Sequence, residues 1–265
     1  MTSPSTPLHH LAMPDRVAIV TGGCRGIGRT ITTCLLDAGA HVIICCRRPP
    51  ETLPTGSDGR EAIFVAADIR DPDQIDTVVA KARDQFGRLD TLINNAGGSP
   101  WADTASASPR FTEKIIALNL TAPLVFSQRA ADLMRTNTQG GTIINIASVS
   151  GIRPSPGTAA YGAAKAGLIN LTRTLAVEWA PQIRVNAIVA GMIRTAIAHQ
   201  VYGDDEAIAR IEATVPMRRL GLPSDVGHLC LFLASDLSSY INGAAIPLDG
   251  GGERPAFLDA AKGDG

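Results

Sequence analysis

The most constraining stretch of the chain is Arg16 to Gly39. A β-branched run, Arg16-Val-Ala-Ile-Val-Thr21, meets Gly22-Gly-Cys-Arg-Gly-Ile-Gly28, and a helical pattern through Ile27, Ile31 and Leu35 then stops at Gly39. Such a run suits a parallel strand covered on both faces. Strand, glycine-rich turn and helix in this order aim unpaired helix N–H groups at the space above the turn, where a pyrophosphate can sit. The spacing G-x-x-x-G-x-G differs from the common G-x-G-x-x-G fingerprint, and a ligand-free βα turn can carry it too. The same alternation continues downstream. Strand-like runs lie at Val42–Cys46, Ala62–Ala66, Leu89–Ile93, Thr142–Ala147, Arg184–Val189 and Ala244–Leu248, and helices start at Pro72, after Pro109, near Ala160 and at Pro223. The expectation is an α/β fold: a single doubly wound, Rossmann-type domain over residues 15–252 with a central seven-stranded parallel sheet, ligands binding at the strand carboxyl ends.

Flanking this domain, residues 1–14 read as a disordered tail. They lack the basic and apolar regions of a leader peptide, and His9-His10 are expected to be solvated. Residues 253–265 form a second tail, with Phe257 and Leu258 as docking candidates. Prolines and glycines keep 49–59 as loop. The stretch 191–215 has weak apolar periodicity and is placed where a substrate lid belongs.

A hydrophobic content of 45% over 265 residues supports a substantial core, and a net charge of -1 gives no reason to expect nucleic acid or an anionic membrane. No 18-residue apolar run is present, so no membrane span is expected. The five cysteines (Cys24, Cys34, Cys45, Cys46, Cys230) form no C-x-x-C pair and have no histidine cluster beside them. They are expected to be reduced thiols of a cytoplasmic protein, with no disulfide framework and no metal site.

The chemistry concentrates between Ser148 and Lys165. This segment leaves an apolar strand, crosses a Pro/Gly-rich turn and enters an Ala-rich helix on which Tyr161 and Lys165 stand at i and i+4, on one face. The turn can fold Ser148 back against them. A phenol, an ammonium and a hydroxyl in one place make a proton-transfer device: the ammonium favours phenolate, and the hydroxyl holds a carbonyl oxygen beside the phenol. With three Tyr and four Lys in the chain, chance yields about 0.05 such i, i+4 pairs, so a solvated surface pair is the weaker reading.

Cofactor signals surround that device. A fold that prefers NAD places Asp or Glu about 20 residues after the Gly-rich turn, to accept from the ribose 2′-OH. Here the second strand ends in Cys46-Arg47-Arg48. Guanidinium binds a 2′-phosphate that a carboxylate would repel. Arg47, with Arg25 inside the turn, therefore points to NADP(H) as preferred cofactor, with NAD(H) possible. Asp68, before Ile69, can accept from an adenine amino group or cap a turn. The small residues of Asn94-Asn95-Ala96-Gly97 let backbone approach a ligand, or the amides tie strands together. Asn119 is an amide among apolar residues that either satisfies backbone or holds a water.

Taken together, Thr21-Gly-Gly-Cys-Arg-Gly-Ile-Gly28, Asp68-Ile69, Asn94-Asn-Ala-Gly97, Asn119, Ser148 and Tyr161-Gly-Ala-Ala-Lys165 resemble the short-chain dehydrogenase/reductase family over roughly Asp15 to Gly252, close to its 3-oxoacyl-carrier-protein-reductase-like branch. The thirteen-residue step from Ser148 to Tyr161 is the family's usual spacing. The resemblance implies a catalytic set of Asn119, Ser148, Tyr161 and Lys165. Tyr161 is then acid or base, Ser148 orients the substrate oxygen, Lys165 lowers the Tyr161 pKa and holds the ribose, and Asn119 anchors a water. It implies cofactor contacts from Gly22, Arg25, Gly26, Ile27, Gly28, Arg47, Asp68, Ile69, Asn95, Ala96, Gly97, Tyr161, Lys165, Ile193 and Thr195. It further implies a ketone/alcohol oxidoreductase and a homotetramer, with a 3-oxoacyl thioester reductase, or a cofactor-binding sensor without turnover, as alternatives. Ser99, Trp101, Arg153, His199 and Tyr202 are pocket-wall candidates. Two departures stand out. Ala190-Gly191 replaces the family's Pro-Gly, which removes a φ constraint beside the lid. Gln139 and Gln182 fall where relatives carry basic residues for docking acyl carrier protein, which disfavours that partner unless Arg135, Arg173 or Arg184 substitutes.

Overall fold

A computed structural model describes residues 11–253 together with Pro255 and Phe257. Seven parallel strands form one sheet in the order β3-β2-β1-β4-β5-β6-β7. They are β1 (Val17–Thr21), β2 (His41–Cys46), β3 (Ile63–Ala66), β4 (Thr91–Asn94), β5 (Gly141–Ser148), β6 (Ile183–Ala190) and β7 (Ala245–Leu248). The order reverses between β1 and β4, the switch point of a doubly wound sheet, and the crevice there opens at the strand carboxyl ends.

The period-2 alternation of each strand decides which layer its side chains join. Val17, Ile19, Ile43, Leu92, Ile143 and Val185 pack under α2 (Pro72–Phe86), α4 (Ala122–Met134) and α5 (Ala159–Trp179). Ala18, Val20, Val42, Ile44, Ile93, Ile144 and Ile188 face α1 (Gly26–Asp37) and α8 (Pro223–Ala234). Local chemistry sets the helix ends. Asp71 accepts from the Asp73 N–H, Pro72 fills the first turn, and Gly87 closes α2 at φ +68°.

The expected strands and helices appear within a residue or two, except at three places. The helix after Pro109 is interrupted: α3 (Pro109–Ile116) passes through one π-turn, Ala117–Thr121, before α4 begins. The stretch 191–215 carries two short helices, α6 (Ala198–Tyr202) and α7 (Asp205–Thr214), held by a small cluster of Ala198, Ile208 and Leu220. The ordered chain also begins before residue 15. Met13 is fully buried against α1 and its N–H donates to the Ala38 carbonyl, because an apolar side chain there caps the α1–α8 layer. Residues 1–10, with His9-His10, and most of 254–265, with Leu258, lie outside the described residues; Phe257 is exposed.

The turn that opens α1 is built on close approach. A Cβ on Gly28 would stand 2.2 Å from the Gly22 carbonyl oxygen and 2.5 Å from Asn95 Nδ2, both fixed by the sheet. Gly28→Ala should therefore destabilise the fold by about 3 kcal/mol. A urea transition midpoint unchanged from the parent would contradict this packing.

Candidate active site

Every catalytic candidate lies at the carboxyl end of the sheet. Ser148 ends β5, and its Oγ accepts from the Ser150 N–H at 3.2 Å. The short turn Val149–Gly151 and the Pro/Gly-rich loop bring the chain back into α5, so Tyr161 stands in the first turns of the helix facing Ser148. One turn on, Lys165 is 3% exposed, and its Nζ donates to the Ile146 carbonyl at 2.7 Å. That ammonium lies 5.6 Å from the Tyr161 ring centroid.

Electrostatics at this trio differ from the expectation that Lys165 lowers the phenol. Burial pushes Tyr161 above the ordinary tyrosine value; the Ser148 hydroxyl pulls the other way and Tyr202 adds a further upward push. Lys165 is itself drawn down to about 8 by burial. Desolvation is the largest cause of both shifts, as expected when a charge loses its water. A phenol raised above its ordinary value stays protonated at neutral pH.

Asn119 is fully buried inside the π-turn. Its Oδ1 accepts from the Gly98 N–H at 2.9 Å, and its Nδ2 donates to the carbonyls of Gly98 and Ile115 at 3.0 and 2.9 Å. The side chain thus braces the chain past β4. A Cβ on Gly97 would stand 2.7 Å from Asn119 Oδ1 and 3.3 Å from Lys165 Nζ, so Asn119, Gly97 and Lys165 share one wall. π-turns of this kind recur at functional sites because they redirect backbone groups.

At the other half of the crevice, Gly22 and Gly26 adopt positive φ, +69° and +52°, and a Cβ on Gly26 would meet nothing within 4 Å. The turn is therefore open above Gly26, and the N–H groups at the start of α1 can face an anion there. Ile27 packs partly into the α1 layer. Arg25 and Arg47 are exposed and, among the described residues, pair with no carboxylate. Asp68 grips Arg70, whose Nε donates at 2.9 Å, and this pairing with Arg70 holds its carboxyl below the usual range; Ile69 is buried. Asn95 Nδ2 donates to the Thr21 carbonyl at 2.8 Å, while Thr21 Oγ1 accepts from the N–H groups of Asn95 and Ala96. Thr21, quoted in the motif without a role of its own, is thus the peg that binds β4's end to β1; its place as last residue of the strand before the Gly-rich turn is the signal for that role.

Across from these, Ile193 is buried in a bridge with Gly221, and the Thr195 carbonyl accepts from the Ala198 N–H at the start of α6. Ala190, despite the missing proline, is held in β6 between Ser148 and Leu248, so sheet pairing replaces the lost φ constraint. Tyr202, at the end of α6, contributes to the upward push on Tyr161. His199 is exposed and lies 3.6 Å from Asp205, and Arg153 pairs with Glu253. Trp101 is 74% exposed with its indole against Gly157, so it covers the loop before α5. The Ser99 hydroxyl donates to the neighbouring Pro100 carbonyl at 2.8 Å.

Three expectations need correction. Gln139 and Gln182 lie just before β5 and β6, where the Gly141 N–H donates to the Gln182 carbonyl, at the opposite end of the sheet from Ser148. They therefore carry no argument about docking at this subunit's site. Arg184 is committed to the carbonyls of Leu233 and Ile241, and Arg135 to Asp132 and the face of Trp179, so neither is a free docking charge. Finally, Cys24 and Cys46 are joined by a disulfide, whereas Cys34, Cys45 and Cys230 are free. Parallel pairing of β1 with β2 makes neighbours of two cysteines that lie 22 residues apart in the chain.

Comparison with known proteins agrees with this geometry. Residues 22–253 match the family described as Enoyl-(Acyl carrier protein) reductase. A short-chain type dehydrogenase/reductase from Mycobacterium marinum superposes with a TM-score of 0.83 at 30% identity, covering 93% of this chain and 98% of that one. The chain belongs to the short-chain dehydrogenase/reductase family. It is similar to a probable 2,4-dienoyl-CoA reductase of Bacillus subtilis, 36% identical over 90% of this chain and 97% of the relative. It also resembles the RhlG protein of Pseudomonas aeruginosa, solved as an active-site complex with NADP, at a TM-score of 0.82 and 32% identity, covering 91% of this chain and 98% of that one. The family is one of oxidoreductases that use nicotinamide cofactors, and its fold is the one described above. No described helix is long and apolar enough to cross a membrane, and no metal-binding cluster occurs among the described residues.

Proposed function

We propose that this chain interconverts a ketone and a secondary alcohol with NADP(H), as a cytoplasmic enzyme. The observation that carries the reading is the shared wall of Ser148, Tyr161, Lys165 and Asn119 at the mouth of the switch-point crevice, opposite an open Gly-rich turn. A dinucleotide suits these residues: the Gly22–Gly28 turn leaves an anion cradle, and the Gly97 backbone passes close to Asn119 and Lys165 where a side chain would intrude. When bound, the nicotinamide supplies or accepts the hydride.

The remaining chemistry belongs to the protein. Tyr161 gives its proton to the substrate oxygen in reduction and regains it in oxidation. Ser148 donates to the same oxygen as charge grows on it. Lys165, drawn down to about 8, lies close enough to working pH to pass a proton to Tyr161's side of the pocket. Asn119 spends both amide N–H groups on Gly98 and Ile115, so a water in this relay is held by its remaining acceptor capacity or main chain. Ile193 and Thr195 hold the carboxamide end of the cofactor, Asn95 and Ala96 its middle, and Asp68 and Ile69 its adenine.

Arg25 and Arg47 select NADP(H) by binding the 2′-phosphate. With the double substitution Arg25→Ala/Arg47→Ala, the NADPH dissociation constant should rise at least about tenfold while that of NADH changes little. Equal losses for both cofactors would contradict the assignment. For the substrate, NADPH consumption against a panel of free ketones and 3-oxoacyl thioesters tests the class, and no turnover across the panel would favour a non-turning-over sensor. The thioester reading is kept because the matched family description and the Bacillus relative both name acyl-thioester substrates, there reduced at a carbon–carbon double bond.

A homotetramer remains part of the proposal. Leu168 and Leu175, which make α5 look apolar in sequence, are buried in the subunit's own core, whereas Val177 on the same helix is 81% exposed. A light-scattering mass of one subunit would contradict assembly.

A further inference from the structure

The Cys24–Cys46 bridge lies at the end of the crevice where selection of the 2′-phosphate has just been placed. Cys24 follows Gly23 and immediately precedes Arg25; Cys46 is the last residue of β2 and immediately precedes Arg47. One bond therefore joins the two segments that carry the two arginines. Three features make this a located device. The main chain prepares it, since Gly22 N–H donates to the Cys45 carbonyl at 2.8 Å and brings the turn against the end of β2. The Cα atoms of the pair are 6.6 Å apart, so side chains alone span the gap. The other three cysteines are disposed differently: burial pushes the Cys45 thiol up to about 12 and raises those of Cys34 and Cys230, keeping all three as poorly reactive neutral thiols.

We infer that Cys24 and Cys46 form a thiol–disulfide switch that controls entry of the cofactor's 2′-phosphorylated ribose, an inference resting on the proposed cofactor reading. The glycine-rich turn and the end of β2 must both approach the ribose. In the bonded state the sulfurs fill the gap between the two segments and tether the turn, so Arg25 and Arg47 cannot shift to close on a phosphate. Reduction breaks the S–S bond: two electrons and two protons from an external dithiol give two thiols, and the dithiol becomes a disulfide. Two unbonded thiols cannot share the gap at bonding distance, so at least one side chain rotates away and the covalent tether on Cys24-Arg25 is lost, while the Gly22–Cys45 hydrogen bond keeps the start of the turn in place. A disulfide at a ligand-contact position in a chain expected to reside in a reducing compartment fits a redox-responsive role better than a structural one.

The test uses the full chain. Peptide mapping by mass spectrometry without reductant should recover a Cys24–Cys46 cross-linked peptide after mild oxidation, and dithiothreitol should abolish it. NADPH fluorescence titration should then give a dissociation constant at least about tenfold higher for the oxidised protein than for the reduced one. Cys46→Ser should bind NADPH like the reduced parent whether or not dithiothreitol is present. If Cys46→Ser misfolds, Cys24→Ser serves the same purpose. A cross-link with equal NADPH affinity in both states would overturn the switch while leaving the cofactor reading standing. Failure to form the cross-link would do the same. Absence of NADPH binding in every state would overturn both, with the cross-linked peptide still showing whether the bond itself forms.

Discussion

Tyr161→Phe should lose about 10³-fold in turnover and keep its NADPH dissociation constant within about twofold of the parent. The ring stays, so packing in α5 and the wall it offers to the nicotinamide are preserved; only the transferable proton goes. The direction of the Tyr161 shift adds a second, independent signature. Burial raises the phenol above its ordinary value, with Ser148 opposing and Tyr202 assisting. A raised acid keeps its proton across the neutral range, so reduction, which needs the phenol, should hold steady there and decline only as pH climbs through the raised value. Oxidation needs the phenolate and should accelerate over the same alkaline interval. Rate–pH profiles in both directions check this, and retained turnover in the phenylalanine variant would remove Tyr161 from the proton-transfer role.

Lys165→Met should make the protein more stable while abolishing activity. Lys165 is 3% exposed, and burial draws its pKa to about 8, below the value near 10.4 of an unfolded lysine. The sign follows from proton counting. Below pH 8 both states are protonated and the fold carries the whole cost of burying an ammonium, on the order of 3 kcal/mol for a shift of this size. Between about 8 and 10.4 the unfolded chain binds a proton that the folded chain lacks, so stability rises with pH and the penalty is gone at the top of that window. Methionine fills the same space without charge but leaves the Ile146 carbonyl, which Lys165 bonds at 2.7 Å, without its donor, returning about 1 kcal/mol. The net expectation at pH 7 is a gain of roughly 2 kcal/mol, or about 5 °C in Tm, with the alkaline rise in stability removed. Calorimetry at pH 7 and pH 10 measures both. A lower Tm at pH 7, or an alkaline rise that persists in the variant, would mean that Lys165 is not a buried, destabilised cation.

These effects show what the residue order could and could not convey. The i, i+4 step from Tyr161 to Lys165, the end of β5 at Ser148 and the boundaries of α2 are short-range facts, and short-range facts survive into the fold. The direction of the Tyr161 shift is different, because it depends on how deeply α5 sinks beside β5 and α6, which no local spacing encodes. Asn119 was legible as a buried amide, yet the π-turn it sits in and the bonds that commit its side chain to Gly98 and Ile115 are not encoded by local spacing. The Cys24–Cys46 bond escaped a search for C-x-x-C spacing because parallel pairing of β1 with β2 supplies the proximity. Lining up the ends of those two strands was the signal that would have found it. Gln139 and Gln182 failed in the reverse way: the resemblance put them near the site, but they precede β5 and β6, at the other end of the sheet.

The central claim is that the crevice between the Gly22–Gly28 turn and the Tyr161–Lys165 wall takes NADP(H). Fluorescence titration of the dithiothreitol-reduced protein with NADPH, and separately with NADH, tests it most directly. The account predicts saturable binding of both, with NADPH at least about tenfold tighter because Arg25 and Arg47 meet its 2′-phosphate. Equal or tighter NADH binding would mean that the two arginines are only solvated surface charges, and binding of neither would contradict the assignment of the site.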